Sequence, residues 1–384
     1  MSSLRLRSPA PVTIVDGTGD LRELETLSRS LEEHTHASNT RRAYDQAWRS
    51  FTAFCAEHDL NSLPADPETV RWYVAGMTAP DGRPPYAVST IRQRLAGIAD
   101  RHLREGHLDP TAHLGVVNLV RGFQKQRPRR PVRKKPLLLD DVLQIIRAMD
   151  HRSFPAGVAA ARDTVAIWLG FAGAMRRSEA AGLSLDSVEL HRQDGVIIHV
   201  GRSKADQENM LPDVVVLPYG HRPNTCAPCA VHRWVALMKA AKADNRSRVT
   251  DVDQRLRDVQ RSGHVCGKTG SKRPPLITNA DLRSAAPLLR AVYRNRHSVT
   301  VHERGVTGDA LHTMLRTRMK EARMPSEDYG FHSLRAGHVT QARRNGAPTE
   351  EIMRAGRWRN QDTVNIYDRE YNPASRNSVT RLGL

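Results

Sequence analysis

The sequence predicts a mainly α protein in two parts: an all-helical amino-terminal domain and a mostly helical α+β domain with one small antiparallel sheet. Three observations predict it. From 38 to 107 the apolar residues recur at helical spacing. A basic, proline-bearing stretch, RGFQKQRPRRPVRKKP at 121–136, then interrupts the pattern with eight Lys/Arg and three Pro. Beyond it, helical periodicity gives way to strand-like runs at 195–204 and 213–218 before helices return.

Taken in order, residues 1–30 form a leader rich in small and polar residues, without the continuous apolar core of a signal peptide. The helical domain covers 31–126. SNTRRAYDQAWRSFTAFCAEH puts Ala43, Ala47, Trp48, Phe51 and Phe54 at helical spacing, with Asn39 or Thr40 as the N-cap. DPETVRWYVAGM is a second helix and VSTIRQRLAGIADRHLREG a third, capped near Ser89 or Thr90. A linker occupies 127–136. Its ten residues, fully extended, span about 33–36 Å, enough to lie along the phosphates of a duplex.

The second domain runs from 137 to 384. LLLDDVLQIIRAM is a helix opened by Asp140 or Asp141, and GVAAARDTVAIWLGFAGAM (157–175) is a buried core helix. GVIIHVGRSK and DVVVLP are the strands, joined by the polar turn ADQENMLP. Helices are expected at 228–243, 308–323, 333–345, 349–356 and 361–370. The arginine-rich segment 243–303 has no regular period and reads as an insertion or loop. Residues 372–384 form a carboxy-terminal tail.

Charge narrows the partner class. The chain of 384 residues has 59 Lys+Arg against 41 Asp+Glu, a formal net charge of +18, which favours a polyanion through steering and counterion release. Nucleic acid leads. A membrane is disfavoured because Arg162 and Asp163 interrupt the most apolar run, which is also short for a span. The four cysteines, Cys55, Cys226, Cys229 and Cys266, have no disulfide-framework spacing, so a reducing, cytoplasmic location at the nucleoid is expected.

Two local patterns are set aside. GHVCGKT (263–269) has its glycines one residue too close for a P-loop and follows no strand pattern. The Cys226-x-x-Cys229 pair, flanked by His221 and His232, reads as packing cysteines, because a zinc site would need all four to converge. No metal and no cofactor are expected.

Four segments carry side chains that bind phosphate or move protons. In GAMRRSEAAGL, Arg176 falls where the core helix ends, with Glu179 three residues on; the plain alternative is an ordinary salt bridge. In GRSKADQ, Lys204 sits just past a strand, where exposed lysines are common. In GFHSLRAGH, His332 and Arg335 share one face at a helix start, where free N–H groups and the dipole favour an anion. In GRWRNQDTVNIYDREY, Trp358 precedes Tyr367 by nine positions and Tyr371 follows one turn later. Taken singly, each has an ordinary structural reading. Together they supply cationic charge, an acid, a base and a covalent acceptor for attack on a phosphodiester.

The ordered set R-x-S-E, strand–Lys–turn, H-x-L-R and Trp-(x8)-Tyr resembles the tyrosine recombinase (phage integrase) family, and the likeness runs from about residue 30 onward. The resemblance implies that family's catalytic fold, preceded by a helical core-type DNA-binding domain. It implies Arg176 and Arg335 as transition-state stabilisers, Lys204 as general acid on the leaving 5′ oxygen and His332 as general base. Trp358, at a position that is His in many members, bonds the scissile phosphate; Glu179 supports the site; Tyr367 is the nucleophile of a 3′-phosphotyrosyl link. DNA contacts are expected from Thr40, Arg41, Arg42, Ser89, Arg92 and Gln93, and from Arg129, Arg130, Lys134 and Lys135 in the linker. The implied protein is a site-specific recombinase acting on double-stranded DNA as a homotetramer on paired inverted repeats, without metal or ATP. A tyrosine transposase or a type IB topoisomerase-like strand transferase shares the chemistry, and a regulator that has lost catalysis would need neither Tyr367 nor His332.

Overall fold

A computed structural model describes residues 38–78, 84–126, 134–201, 213–242, 249–260, 263–268, 274–294 and 298–365. Lys204, Arg129, Arg130, Tyr367 and Tyr371 lie outside these residues, as do the leader and the tail. The chain divides into two units, Met1–Pro131 and Val132–Leu384.

In the first unit α1 (Ser38–Glu57), α2 (Pro67–Thr78), α3 (Val88–Arg104) and α4 (Leu114–Gln126) surround a core of Phe51, Val70, Tyr73, Val74, Ile91, Ile98 and Val116. Asp66 starts α2: its Oδ1 accepts the Glu68 N–H at 2.7 Å, and Pro67 fills the first helical position, where a missing donor costs nothing. Helices α1 and α3 meet at Gly97. A Cβ there would lie 2.8 Å from that of Ala47 and 3.2 Å from the Tyr44 backbone, so only glycine allows this approach. Further along, the Trp48 and His102 rings meet edge-on with centroids 5.9 Å apart. The order of these contacts means that α1 and α3 run in the same sense. Their amino-terminal turns, which carry Arg41, Arg42, Ser89, Arg92 and Gln93, therefore lie at one end of the unit, with all five exposed and Thr40 half-buried beside them.

Two details differ from the sequence reading. Helices α1 and α3 begin at Ser38 and Val88, each ahead of its expected cap, and Ala87 precedes α3 with no side-chain cap. Helix α4 had no assigned period, although Val116 and Val120 recur at helical spacing and are both buried.

The second unit is organised around α6 (Ala156–Phe171), which is buried on nearly every side. It follows α5 (Leu139–Ala148), whose Asp141 reaches back to accept the Leu138 N–H at 2.8 Å. The charged pair inside α6 is paired, not solvated. Asp163, 1% exposed, receives Arg162 at 2.5 Å and Arg318 at 2.7 Å. Removing both guanidinium groups would strand a buried charge.

Short helix α7 (Arg177–Gly182) leads into an antiparallel sheet of β1 (Val188–His191), β2 (Gly195–Val200) and β3 (Asp213–Leu217), in that spatial order, with Val200 paired to Asp213. After α8 (Ala227–Lys242) comes the segment expected to be irregular, and this expectation is corrected. It contains a helix, α9 (Val249–Val259), and most of a second, two-stranded sheet, β4 (Arg290–Arg294) with β5 (Val299–Gly305). The hairpin holds Val292 opposite Val301. Those strands also correct the expectation of one sheet. Helices α10 (Gly308–Glu321), α11 (His332–Arg344), α12 (Thr349–Gly356) and α13 (Gln361–Asn365) follow.

The last linker residues are tied to this unit. Lys134 Nζ donates to the Glu327 carbonyl at 2.6 Å, and Lys135 pairs with Asp328 at 2.8 Å. Leu137 then packs on α11 so closely that a Cβ at Gly337 would fall 1.7 Å from its carbonyl oxygen. Among the described residues no helix is long and apolar enough to cross a membrane.

Candidate active site

The chain leaves α6 through a sharp turn in which Ala174 takes a left-handed conformation with φ 46°. Arg176 occupies the position before α7. Its N–H donates to Glu179 Oε2 at 2.9 Å and its guanidinium to Oε1 at 2.5 Å. The salt bridge foreseen between these residues is thus present, but it is one edge of a larger cluster. Arg357 donates to Glu179 Oε2 at 2.7 Å, lies 3.8 Å from Asp213 and reaches the Gly173 carbonyl at 3.4 Å.

Arg357 ends α12 in the left-handed region, φ 57° and ψ 48°, a conformation that costs an ordinary residue roughly 1–2 kcal/mol. Glu179 on one side and the Trp358 fold-back on the other hold it there. The side chains of Glu179 and Arg357 are 6% and 5% exposed, whereas that of Arg176 is 30% exposed. Arg176 is therefore the open side of the cluster.

Arg335 comes from α11 and is 1% exposed. It donates to the carbonyls of Ala174 and Gly356, the latter at 2.7 Å, and its guanidinium carbon lies 3.9 Å from the centroid of the Trp358 ring. Trp358 fits only because residue 356 is glycine, where an added Cβ would sit 1.5 Å from the indole. Behind the ring, Ala174, Val339, Ile352 and Val364 make a small apolar cluster. One helical turn before Arg335, His332 is the first residue of α11 and is exposed.

Two titratable groups are shifted here. Burial works to raise the Glu179 carboxyl, but Arg357 and the hydrogen bonds from Arg176 outweigh it and hold the group below the usual carboxylate range. Burial pushes the His338 imidazole below its ordinary value, and Arg335 and Arg357 push the same way against a bond to the Phe171 carbonyl at 2.9 Å.

Four predicted site residues, Arg176, Glu179, Arg335 and Trp358, are thus brought together by the turn after α6 and the end of α12. His332 is on the same helix as Arg335. Lys204 and Tyr367 fall outside the described residues, yet the described chain on both sides of Lys204 and the described chain before Tyr367 are rooted here. Asp213, paired with Val200, closes the segment that contains Lys204 and approaches Arg357. Val364, three residues before Tyr367, packs with Trp358, and Asn365 accepts from Arg343 at 3.1 Å. Arg357 and His338 were missed, because nothing in the sequence links Arg357 to Glu179, 178 positions away. The four-residue set of Cys226, Cys229, His221 and His232 does not form: the two cysteines instead meet His264 and Cys266.

The sequence matches the phage integrase family over residues 135–372, more than half of the chain. The chain belongs to the phage integrase family. This integrase-family chain is similar to the integrase/recombinase xerD homolog of Selenomonas ruminantium, 28% identical over 233 residues, covering 60% of this chain and 65% of that protein. That match falls just short of two thirds of the relative's length. It is also similar to the recombinase cre of Escherichia phage P1, 23% identical over 376 residues, with 95% of this chain and 94% of the phage protein covered. The Tn1549 transposon integrase, solved in complex with transposon right end DNA, shares the fold over 93% of this chain and 98% of its own, with a TM-score of 0.52 at 11% identity. The mainly α fold with small antiparallel sheets is therefore that of the tyrosine recombinases.

Proposed function

We propose that this protein is a site-specific DNA recombinase that cuts and rejoins strands through a 3′-phosphotyrosyl intermediate. The observation that carries the reading is the cationic cluster of Arg176, Arg335 and Arg357, assembled where the chain runs on to Tyr367. Its charge suits an anionic, five-coordinate phosphorus, which guanidinium groups stabilise by forked hydrogen bonds.

In the proposed reaction the Tyr367 oxygen attacks the scissile phosphorus while His332 takes its proton. The bond from phosphorus to the 5′ oxygen breaks, and Lys204 protonates that leaving oxygen. Arg176 and Arg335 neutralise charge gained in the transition state, and Trp358 bonds a phosphate oxygen. The phosphotyrosyl ester preserves the energy of the broken bond, so a 5′ hydroxyl of a second strand can reverse the step without ATP. Glu179 orients Arg176. Exposed Arg41, Arg42, Ser89, Arg92 and Gln93, with half-buried Thr40 beside them at one end of the first unit, suit a groove or its phosphates, with Arg129, Arg130, Lys134 and Lys135 as further contacts. Four copies on paired inverted repeats complete the reading.

The test is a nicked suicide substrate carrying DNA from around the gene. The expected result is a covalent protein–DNA adduct that Tyr367→Phe abolishes and Tyr371→Phe retains, with salt-sensitive binding kept in both. An undiminished adduct in Tyr367→Phe overturns the assignment.

A further inference from the structure

A second cluster in the same unit has no part in strand cleavage. Cys226 immediately precedes α8 and Cys229 lies in its first turn, while the segment 263–268 after α9 brings in His264 and Cys266. The three cysteines are 1%, 0% and 4% exposed, and His264 is half-buried. Their three Sγ atoms and one imidazole nitrogen all lie within 4.8 Å of one another.

The spacing is informative. Cys229 Sγ is 3.4 Å from Cys266 Sγ and 3.4 Å from His264 Nδ1; Cys226 Sγ is 3.8 Å from Cys266 Sγ; Cys266 Sγ is 3.9 Å from His264 Nδ1. A disulfide would need about 2.05 Å between sulfurs, so no pair is bonded. Tetrahedral zinc, with Zn–S about 2.3 Å and Zn–N about 2.0–2.1 Å, sets its ligand atoms roughly 3.5–3.8 Å apart. Four of the six edges of the cluster, at 3.4–3.9 Å, fall close to those of that tetrahedron.

The imidazole is turned for the same purpose. His264 Nε2 lies 3.2 Å from the His221 carbonyl, which can only accept, so Nε2 carries the hydrogen and the Nδ1 lone pair faces the sulfurs. A ligand histidine whose far nitrogen is fixed by a carbonyl is the usual outer arrangement of zinc sites. The Val265 N–H points at Cys229 Sγ from 3.4 Å, a donor that suits a thiolate. Plain packing of cysteines requires neither orientation.

We propose that Cys226, Cys229, His264 and Cys266 bind one zinc ion as a closed, structural site. Three thiolates and an imidazole form a donor set suited to zinc, and with all four positions filled by protein no place is left for a reacting water. The ion fastens the segment after α9 to the start of α8. From there Leu276 donates to the Val265 carbonyl at 3.0 Å, and Lys268 donates to the Gly220 carbonyl at 2.9 Å, so the metal ties to the start of α8 a stretch, 263–268, that has no helix or strand of its own. The flanking sequence, Cys-x-x-Cys followed by His-x-Cys, shows why the earlier ligand set failed. The partners of the first pair are 35 to 40 positions away, in the segment that resembled a P-loop.

The test uses the untagged full-length protein, expressed in zinc-supplemented medium and purified under reducing conditions without chelator. Metal analysis should find about one zinc per chain. An organomercurial should release it stoichiometrically into a zinc-sensitive dye. Exchange with cobalt(II) should give thiolate-to-cobalt charge transfer and tetrahedral d–d bands. Cys55→Ser, in the other unit, should keep the zinc, whereas Cys229→Ser and Cys266→Ser should lose it. A folded wild-type protein without zinc overturns the proposal, as does iron in its place or a Cys226–Cys266 disulfide found by mass. If the serine variants fail to fold, the wild-type stoichiometry and cobalt spectrum still decide. Zinc bound to a protein that forms no DNA adduct would count against the recombinase reading and leave this one intact.

Discussion

The guanidinium cluster at Glu179 and the sulfur cluster at Cys229 share one unit and are both reached from distant parts of the chain, but the first is partly open and the second closed. Around Glu179, two arginines, Arg176 and Arg357, meet that carboxylate, Arg357 also approaches Asp213, and Arg335 adds a third guanidinium behind the same turn, so positive charge remains in excess and Arg176 keeps a partly open side. Around Cys229, every donor atom points inward and the three cysteines are buried. A site built for a passing anion keeps charge in reserve on an accessible edge. A site built to be finished keeps none. The contrast predicts that substitutions in the first cluster separate chemistry from stability, while substitutions in the second change stability alone.

The largest effect is expected at Arg335, where both roles meet. Arg335→Ala removes the cation stacked on Trp358 and strands the carbonyls of Ala174 and Gly356, a loss of about 3–5 kcal/mol in urea unfolding. Single-turnover cleavage at low temperature, where the variant is still folded, should fall by about 10²–10³-fold. Arg335→Lys keeps the charge but cannot fork to two carbonyls, so it should recover little of either. If Arg335→Ala unfolds easily yet cleaves normally, Arg335 is a structural bolt and belongs with the sulfur cluster in the comparison.

Glu179 and Arg176 split the two properties. Glu179→Gln leaves the buried Arg357 with only the more distant Asp213 as counter-charge and should cost about 3 kcal/mol of stability, read from the denaturation midpoint. Arg176→Ala, at the open edge, should change stability by only about 1 kcal/mol or less while reducing cleavage far more than DNA affinity. Equal losses of cleavage and affinity would make Arg176 a simple phosphate clamp.

The same contrast explains what could be read from the sequence. Arg176 with Glu179 is an i, i+3 pair at a helix start, so position and partner both follow from local geometry; the helix start that carries His332 and Arg335 was as legible, but Arg335 turns inward to the Ala174 and Gly356 carbonyls while His332 stays exposed. Trp358 was legible only through the ordered family pattern that sets it nine positions before Tyr367, since it lies between two helices and not on one. Arg357 was not, because its role depends on a left-handed helix end that delivers it to a residue on another element. His264 and Cys266 were hidden in a basic stretch without clear period. The hairpin of β4 and β5 was missed because arginines at Arg290, Arg294 and Arg304 mask a short alternation of Val292, Val299 and Val301. Long-range closure, not composition, is what one sequence leaves unread.

Acid should distinguish the two arms of the arginine cluster by a smaller effect. His338 is held below its ordinary value of 6.5 in the folded protein, so the unfolded chain binds the proton more readily. Stability should therefore begin to fall as pH drops through about 6.5 and continue until the depressed folded value is reached. Glu179 is also depressed, but its window is lower: its contribution is intact above the ordinary carboxyl value of 4.5 and is lost as pH falls through the folded value. Denaturation midpoints measured from pH 8 to 4 should thus decline in two stages. His338→Asn keeps a donor for the Phe171 carbonyl and removes the titration, so it should flatten the upper stage only. Glu179→Gln should flatten the lower one. A single decline unaffected by His338→Asn would mean that the imidazole titrates freely and that the ground behind Arg335 is wetter than its burial indicates.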